Sequence, residues 1–118
     1  MIANPNCTTI IMTLPVFPLH SAFGVNRIVL STYQAASGAG AAAMDELEQQ
    51  AIDWVGGKRA EELSQDIFGR QYLWNVFSHN SPIDMATLYN EEETKAMRET
   101  AKIFGDESFR NKVGCVLV

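Results

Sequence analysis

Val25-Asn26-Arg27-Ile28-Val29-Leu30-Ser31-Thr32-Tyr33 runs straight into Gln34-Ala35-Ala36-Ser37-Gly38-Ala39-Gly40, and this join decides the fold. The first segment follows Gly24 and is rich in β-branched and aromatic side chains, which predicts a strand buried over at least part of its length. The second is made of small residues and opens a helix in which Met44, Leu47, Ala51, Trp54 and Val55 recur on one face until Gly56-Gly57 stops it. Asp45 and Glu46 add negative charge near the positive end of that helix.

Upstream, Asn6-Cys7-Thr8 offers a polar cap, and Ile10, Ile11, Leu14 and Phe17 follow at helical spacing. Cys7 is therefore expected at a helix N-terminus. Pro15 and Pro18 are expected to kink or end that helix, because each removes a backbone donor and crowds the preceding turn. Downstream, Lys58 to Gly69 reads as an irregular surface excursion, Gln71 to Phe77 as a strand, and Ser78-His79-Asn80-Ser81-Pro82 as a loop. Asn90 with Glu93 three residues on is a variant capping box for a helix striped by Met97, Ala101 and Phe104 and closed by Gly105. Val113 to Val118 reads as the last strand.

The chain has 118 residues and 13.1 kDa, with 9 Lys+Arg against 14 Asp+Glu, a net charge of -5 and a sequence pI of about 4.9. A hydrophobic share of 47% with 19% charged residues suits a folded core and excludes the charge-rich signature of disorder. The scattered basic residues leave no patch for nucleic acid. The longest apolar run, Ile10 to Leu19, is broken by Thr13, Pro15 and Pro18 and falls short of the ~20 residues a bilayer requires. The N-terminal residues lack the basic start of a secretion signal. Two cysteines, Cys7 and Cys115, are too few for a disulfide framework or a cysteine-rich zinc site, so a reducing compartment and a non-secreted protein are expected.

Chemistry concentrates at Cys7. The free amides of a helix N-terminus stabilise a thiolate and an oxyanion on an attacked carbonyl, although a lone small cysteine also serves as core. Cys115, in an apolar strand, reads as core. Ser37-Gly38-Ala39-Gly40 either brings backbone amides to a phosphate or nicotinamide or is simply a tight turn; the dinucleotide fingerprint spacing is absent. Glu91, Glu92 and Glu93 form a solvated first helical turn with Glu91 paired to Lys95. His20 and His79 have no metal-ligand spacing, and no metal is expected. A cysteine hydrolase built on Cys7 and a histidine lacks a recognisable third orienting residue.

Ala3-Asn4-Pro5-Asn6-Cys7-Thr8-Thr9, Ser31-Thr32-Tyr33-Gln34-Ala35-Ala36-Ser37-Gly38-Ala39-Gly40 and Tyr89-Asn90-Glu91-Glu92-Glu93-Thr94-Lys95, in that order, resemble landmarks of aspartate-semialdehyde dehydrogenase. The resemblance runs to about Phe109 and is nearest to plant and cyanobacterial forms around Phe77-Ser78-His79-Asn80. It implies an α+β fold: part of a glyceraldehyde-3-phosphate-dehydrogenase-like C-terminal domain, a mixed sheet with helices. Residues 1–118 would form one partial catalytic and dimerisation domain, without the family's N-terminal NADP-binding Rossmann domain.

The implied reaction is the NADPH-dependent reductive dephosphorylation of aspartyl phosphate to aspartate semialdehyde, on the route to lysine, threonine and methionine. By resemblance Cys7 is the nucleophile that carries the thioester, and Gln34 orients the thiol and acyl group. Glu92 holds the substrate amino group, Lys95 lies near the phosphate, and Ser37 and Gly38 close on the nicotinamide end of NADP. Leu117 stands where the family places the arginine that clamps the substrate carboxylate, and the histidine acid/base lies beyond Val118, so the isolated chain is expected to be inactive. A small-molecule substrate and a homo-oligomeric full-length form are implied, with a cytoplasmic or plastid stromal location and no nucleic-acid or membrane partner. The rival expectation is a non-catalytic interaction protein that pairs with a full-length homologue.

Overall fold

In the computed structural model, which describes residues 2–118, the first strand condenses to β1, Ile28–Thr32, and β2, Val113–Leu117, lies beside it. The two are parallel, in register from Ile28 opposite Val113 to Thr32 opposite Leu117. Parallel neighbours cannot be joined by a hairpin, and the long connection between them contains α2, Ala41–Val55, and α3, Glu91–Phe104. Helices with a small sheet satisfy the α+β expectation. Where a mixed sheet is expected, the described residues hold this parallel pair. Alternation decides which side chains enter the core: Ile28, Val113, Cys115 and Leu117 are buried, while Val29 and Val116 face outward.

Contacts group the chain into two units. The first extends to Thr32 and resumes from Ser81 to Leu117; the second is Tyr33–Asn80 with Val118. In the first, α1, Cys7–Phe23, and α3 pack with the sheet around Met12, Met97, Ala101, Phe109 and Val113. Phe109 is fully buried, with Phe104 at 4.7 Å and His20 at 5.0 Å meeting it edge-on. The capping box forms as read: Asn90 Oδ1 accepts from the Glu93 N–H at 2.8 Å, and Glu93 Oε2 accepts from the Asn90 N–H at 2.9 Å. Gly105, at φ 68°, takes the left-handed turn that closes α3.

The prolines do not end α1, which runs through Pro15 and Pro18 to Phe23. Both prolines lie on the exposed face, as do Ile11 and Leu14, whose carbonyls lose their intrahelical donors to the prolines; on a solvent-facing side such carbonyls are open to water, which lowers the cost of the lost bonds. The apolar stripe also points the other way. Ile11 and Leu14 are 72% and 71% exposed, and the buried face is Thr8, Thr9, Met12 and Thr13.

In the second unit a 3-10 turn, Ala36–Ala39, precedes α2. Its inward face is polar as well: Ala43, Glu46 and Gln50 are buried, while Met44, Trp54 and Val55 of the expected stripe are exposed. Glu46 Oε2 accepts from the N–H groups of Ile67 (2.9 Å) and Phe68 (3.3 Å). Gln50 Oε1 accepts from those of Tyr72 (3.0 Å) and Leu73 (2.9 Å), and its Nε2 donates to the Ser64 carbonyl at 2.6 Å. These bonds explain why Gln71 to Phe77 is not the expected strand. Its backbone donors are taken by a helix side chain, and Trp74 adopts a left-handed φ of 56°, which a strand does not allow.

Candidate functional site

Cys7 is the first residue of α1 and is exposed. Asn6 caps the helix, its Oδ1 accepting from the Thr8 N–H at 3.0 Å, so the thiol stands at the positive end of the helix dipole. The same asparagine ties this end of α1 to α3. Its Nδ2 donates to Glu92 Oε2 at 2.6 Å, and its backbone N–H donates to Glu99 Oε2 at 2.8 Å.

Glu92 lies one helical turn from Lys95, whose Nζ donates to Glu92 Oε1 at 2.8 Å and pairs with Glu91 Oε1 at 3.1 Å. The hydrogen bonds to Glu92 and then Glu91 hold the Lys95 ammonium above the usual lysine range. Lys95 is therefore a fixed cation at working pH and not a base. It also lines a cavity of about 410 Å³ with Ile83, Tyr89, Thr94 and Arg98. Such a volume is the size of a small-metabolite site, and its walls do not include Cys7.

Three of the expected residues, Cys7, Glu92 and Lys95, thus share the first unit. Asn6 was legible only as a cap, and Glu99 not at all, because the residues they join are more than eighty positions apart in sequence. Gln34, Ser37 and Gly38 belong to the second unit. Ser37 and Gly38 are exposed on the 3-10 turn, and a Cβ placed at Gly38 would meet nothing within 4 Å. The Gln34 N–H donates to the Val118 carbonyl at 2.6 Å.

Cys115 differs from Cys7 in every respect. It is buried, its Sγ donates to the Glu93 carbonyl at 3.4 Å, and burial, with the Glu93 charge second, pushes its thiol up to about 11. His20 is structural: its Nδ1 accepts from the Val25 N–H at 3.1 Å and its ring stacks on Phe104 at 5.2 Å. Leu117 is fully buried. Among the described residues no His/Cys/Asp/Glu cluster is arranged to hold a metal, and no helix is long and apolar enough to cross a membrane.

Over the parallel strand pair and the helices that back it, the chain falls in the class of semialdehyde dehydrogenase dimerisation domains. The model of the family described as "Semialdehyde dehydrogenase, dimerisation domain" matches residues 16–118. The chain belongs to the aspartate-semialdehyde dehydrogenase family: it is 48% identical over its whole length to the aspartate-semialdehyde dehydrogenase of Synechocystis sp. and 38% identical to that of Aquifex aeolicus. It covers 34% of each of those proteins, so it spans about a third of the length of the curated relatives it matches. The crystal structure of aspartate semialdehyde dehydrogenase II from Vibrio cholerae superimposes with a TM-score of 0.83 at 36% identity, covering 99% of this chain and 34% of that one. The same Vibrio protein complexed with ASA gives a TM-score of 0.84.

Proposed function

We propose that this chain supplies the nucleophile and the substrate-gripping acid of an aspartate-semialdehyde dehydrogenase, acting on aspartyl phosphate as substrate with NADP as cofactor. The observation that supports it is the exposed Cys7 at the start of α1, next in sequence to Asn6, whose side chain donates to Glu92, the acid paired with Lys95. The Cys7 thiolate attacks the acyl carbon, the thioester C–S bond forms, and the C–O bond to phosphate breaks as inorganic phosphate leaves. Amides at the head of α1 stabilise the oxyanion of the tetrahedral intermediate. Glu92 takes the substrate ammonium, and Lys95, permanently charged, favours the departing phosphate. Gln34 contributes the orienting amide that the family resemblance assigns to it.

Ser37 and Gly38 form the exposed turn that would receive the nicotinamide end of NADPH, which supplies the hydride for reduction when bound. The chain alone is expected to show no NADP-dependent turnover, since Leu117 occupies the place of the carboxylate-clamping arginine. Incubation with aspartyl phosphate followed by peptide mass spectrometry tests the nucleophile. An acyl adduct on Cys7 that disappears in Cys7→Ser is expected, and an adduct on Cys115 at an equal rate, or none on Cys7, overturns the assignment.

One observation favours a second reading, a non-catalytic subunit that pairs with a full-length homologue or with its own copies. Ile11, Leu14, Val29 and Val116 present exposed apolar surface, and each strand of the pair has one unpaired edge. Size-exclusion chromatography with light scattering, alone and with the homologue, separates the readings. Preference for the homologue over self-association supports this second one.

A further inference from the structure

The second unit contains a device that the family assignment of Gln34 does not mention. Tyr72 Oη donates to the Gln34 carbonyl at 2.9 Å, and the Gln34 N–H is taken by the Val118 carbonyl at 2.6 Å. The backbone of Gln34 is thereby pinned on both sides. Its side-chain Nε2 is buried and has no hydrogen-bond partner among the described residues. An unmade hydrogen bond on a buried donor is costly, and an incoming acceptor would relieve that cost. Gln34 and Tyr72 line a cavity of about 90 Å³ with Tyr33, Asn75 and Phe77, large enough for a carbonyl-sized group.

Tyr72 is itself held from several directions. Its N–H donates to Gln50 Oε1 at 3.0 Å, its ring stacks on Phe68 at 4.2 Å, and it meets Phe77 edge-on at 5.6 Å. Gln50 is fully buried in α2, so a rigid helix fixes the phenol through one side chain. We propose that Tyr72, anchored by Gln50, is a positioning residue for Gln34: it fixes the glutamine backbone so that the side-chain amide stays at the cavity of the second unit, ready for a carbonyl-type acceptor. The functional half rests on the role proposed above for Gln34; the structural half does not.

Tyr72→Phe removes the hydroxyl and keeps the ring. In the whole 118-residue chain, labelled with carbon-13 and nitrogen-15, the Gln34 carbonyl resonance is expected to move upfield and the Gln34 side-chain NH2 pair to shift. The ring resonances of Phe68 and Phe77 stay in place and report that the unit is folded. Unmoved Gln34 signals overturn the proposal.

Catalytic consequence is read in the Synechocystis relative with its matching third replaced by this chain. Tyr72→Phe lowers kcat about tenfold and leaves KM within about twofold, as expected for a misplaced orienting group. The double variant Tyr72→Phe/Gln34→Ala is no slower than Gln34→Ala alone, a non-additivity that a merely structural tyrosine would not produce. Fully additive losses overturn the proposal. Gln34→Ala with unchanged kcat would instead remove the role of Gln34 from the proposed function, and the carbonyl shift would still decide whether Tyr72 positions it.

Discussion

Alkylation of the folded chain by a small haloacetamide should label Cys7 almost to completion before Cys115 reacts. Only the thiolate attacks, so the comparison starts from the ionised fraction. The Cys115 thiol is pushed up to about 11 by burial and by Glu93. At about pH 8 such a thiol is roughly one part in a thousand thiolate, whereas a free cysteine with an ordinary value of about 8.5 is about one quarter ionised. The deficit for Cys115 is about 200-fold before access is considered. Access widens it, since only 5% of Cys115 is exposed and its sulfur is engaged by the Glu93 carbonyl, while Cys7 faces solvent at the head of α1. The assay is limited alkylation followed by peptide mass spectrometry at several time points, with a urea-unfolded control in which the two sites should react alike. A ratio below about tenfold in the folded chain would refute the reasoning, because it would require Cys115 to be ionised or open.

Other outcomes follow from the same contacts. Raising pH should destabilise the fold through Cys115: its folded value lies above its unfolded one, so its contribution is present below the unfolded value and is lost as pH rises toward about 11. Thermal melts from about pH 8 upward should therefore fall less steeply in Cys115→Ala than in the parent, and parallel slopes would contradict this. Asn6→Ala should cost about 1 kcal/mol through loss of the cap, read from the urea midpoint, and an unchanged midpoint would show that the cap contributes nothing. Phe109→Ala, at a fully buried site, should cost about 3–5 kcal/mol in the same assay. Leu14→Lys should reduce self-association in light scattering without lowering the melting temperature, because Leu14 faces solvent in the monomer.

Local features of the chain were legible because their physics is local. The Asn90–Glu93 box, the Asn6 cap and the closing Gly105 act within a few residues, and each formed where its residues stand. Cys7 at a helix head and Cys115 in the core followed from the same short-range reading. Side-chain orientation was not legible in this way. The apolar stripes of α1 and α2 satisfy helical spacing, yet Ile11 and Leu14 of the first and Met44 and Val55 of the second are exposed, while threonines, Glu46 and Gln50 occupy the inward faces. Periodicity identifies a face but not the direction it takes; that is set by which buried hydrogen bonds the rest of the chain can complete.

What the sequence determined by itself is the order of α1, β1, α2, α3 and β2, the Asn6 and Asn90 caps, and the family whose landmarks it carries. What only the tertiary structure decided is the set of partners across distance. Gln50 removes the backbone donors that a strand at Gln71 to Phe77 would need, and solvent on one side of α1 lets a helix pass through two prolines. Asn6 brings Glu92 to the helix of Cys7, and Tyr72 holds the backbone carbonyl of Gln34. Each depends on a hydrogen bond between residues far apart in the chain or on exposure to water, and neither quantity is encoded in the spacing of residues along a sequence.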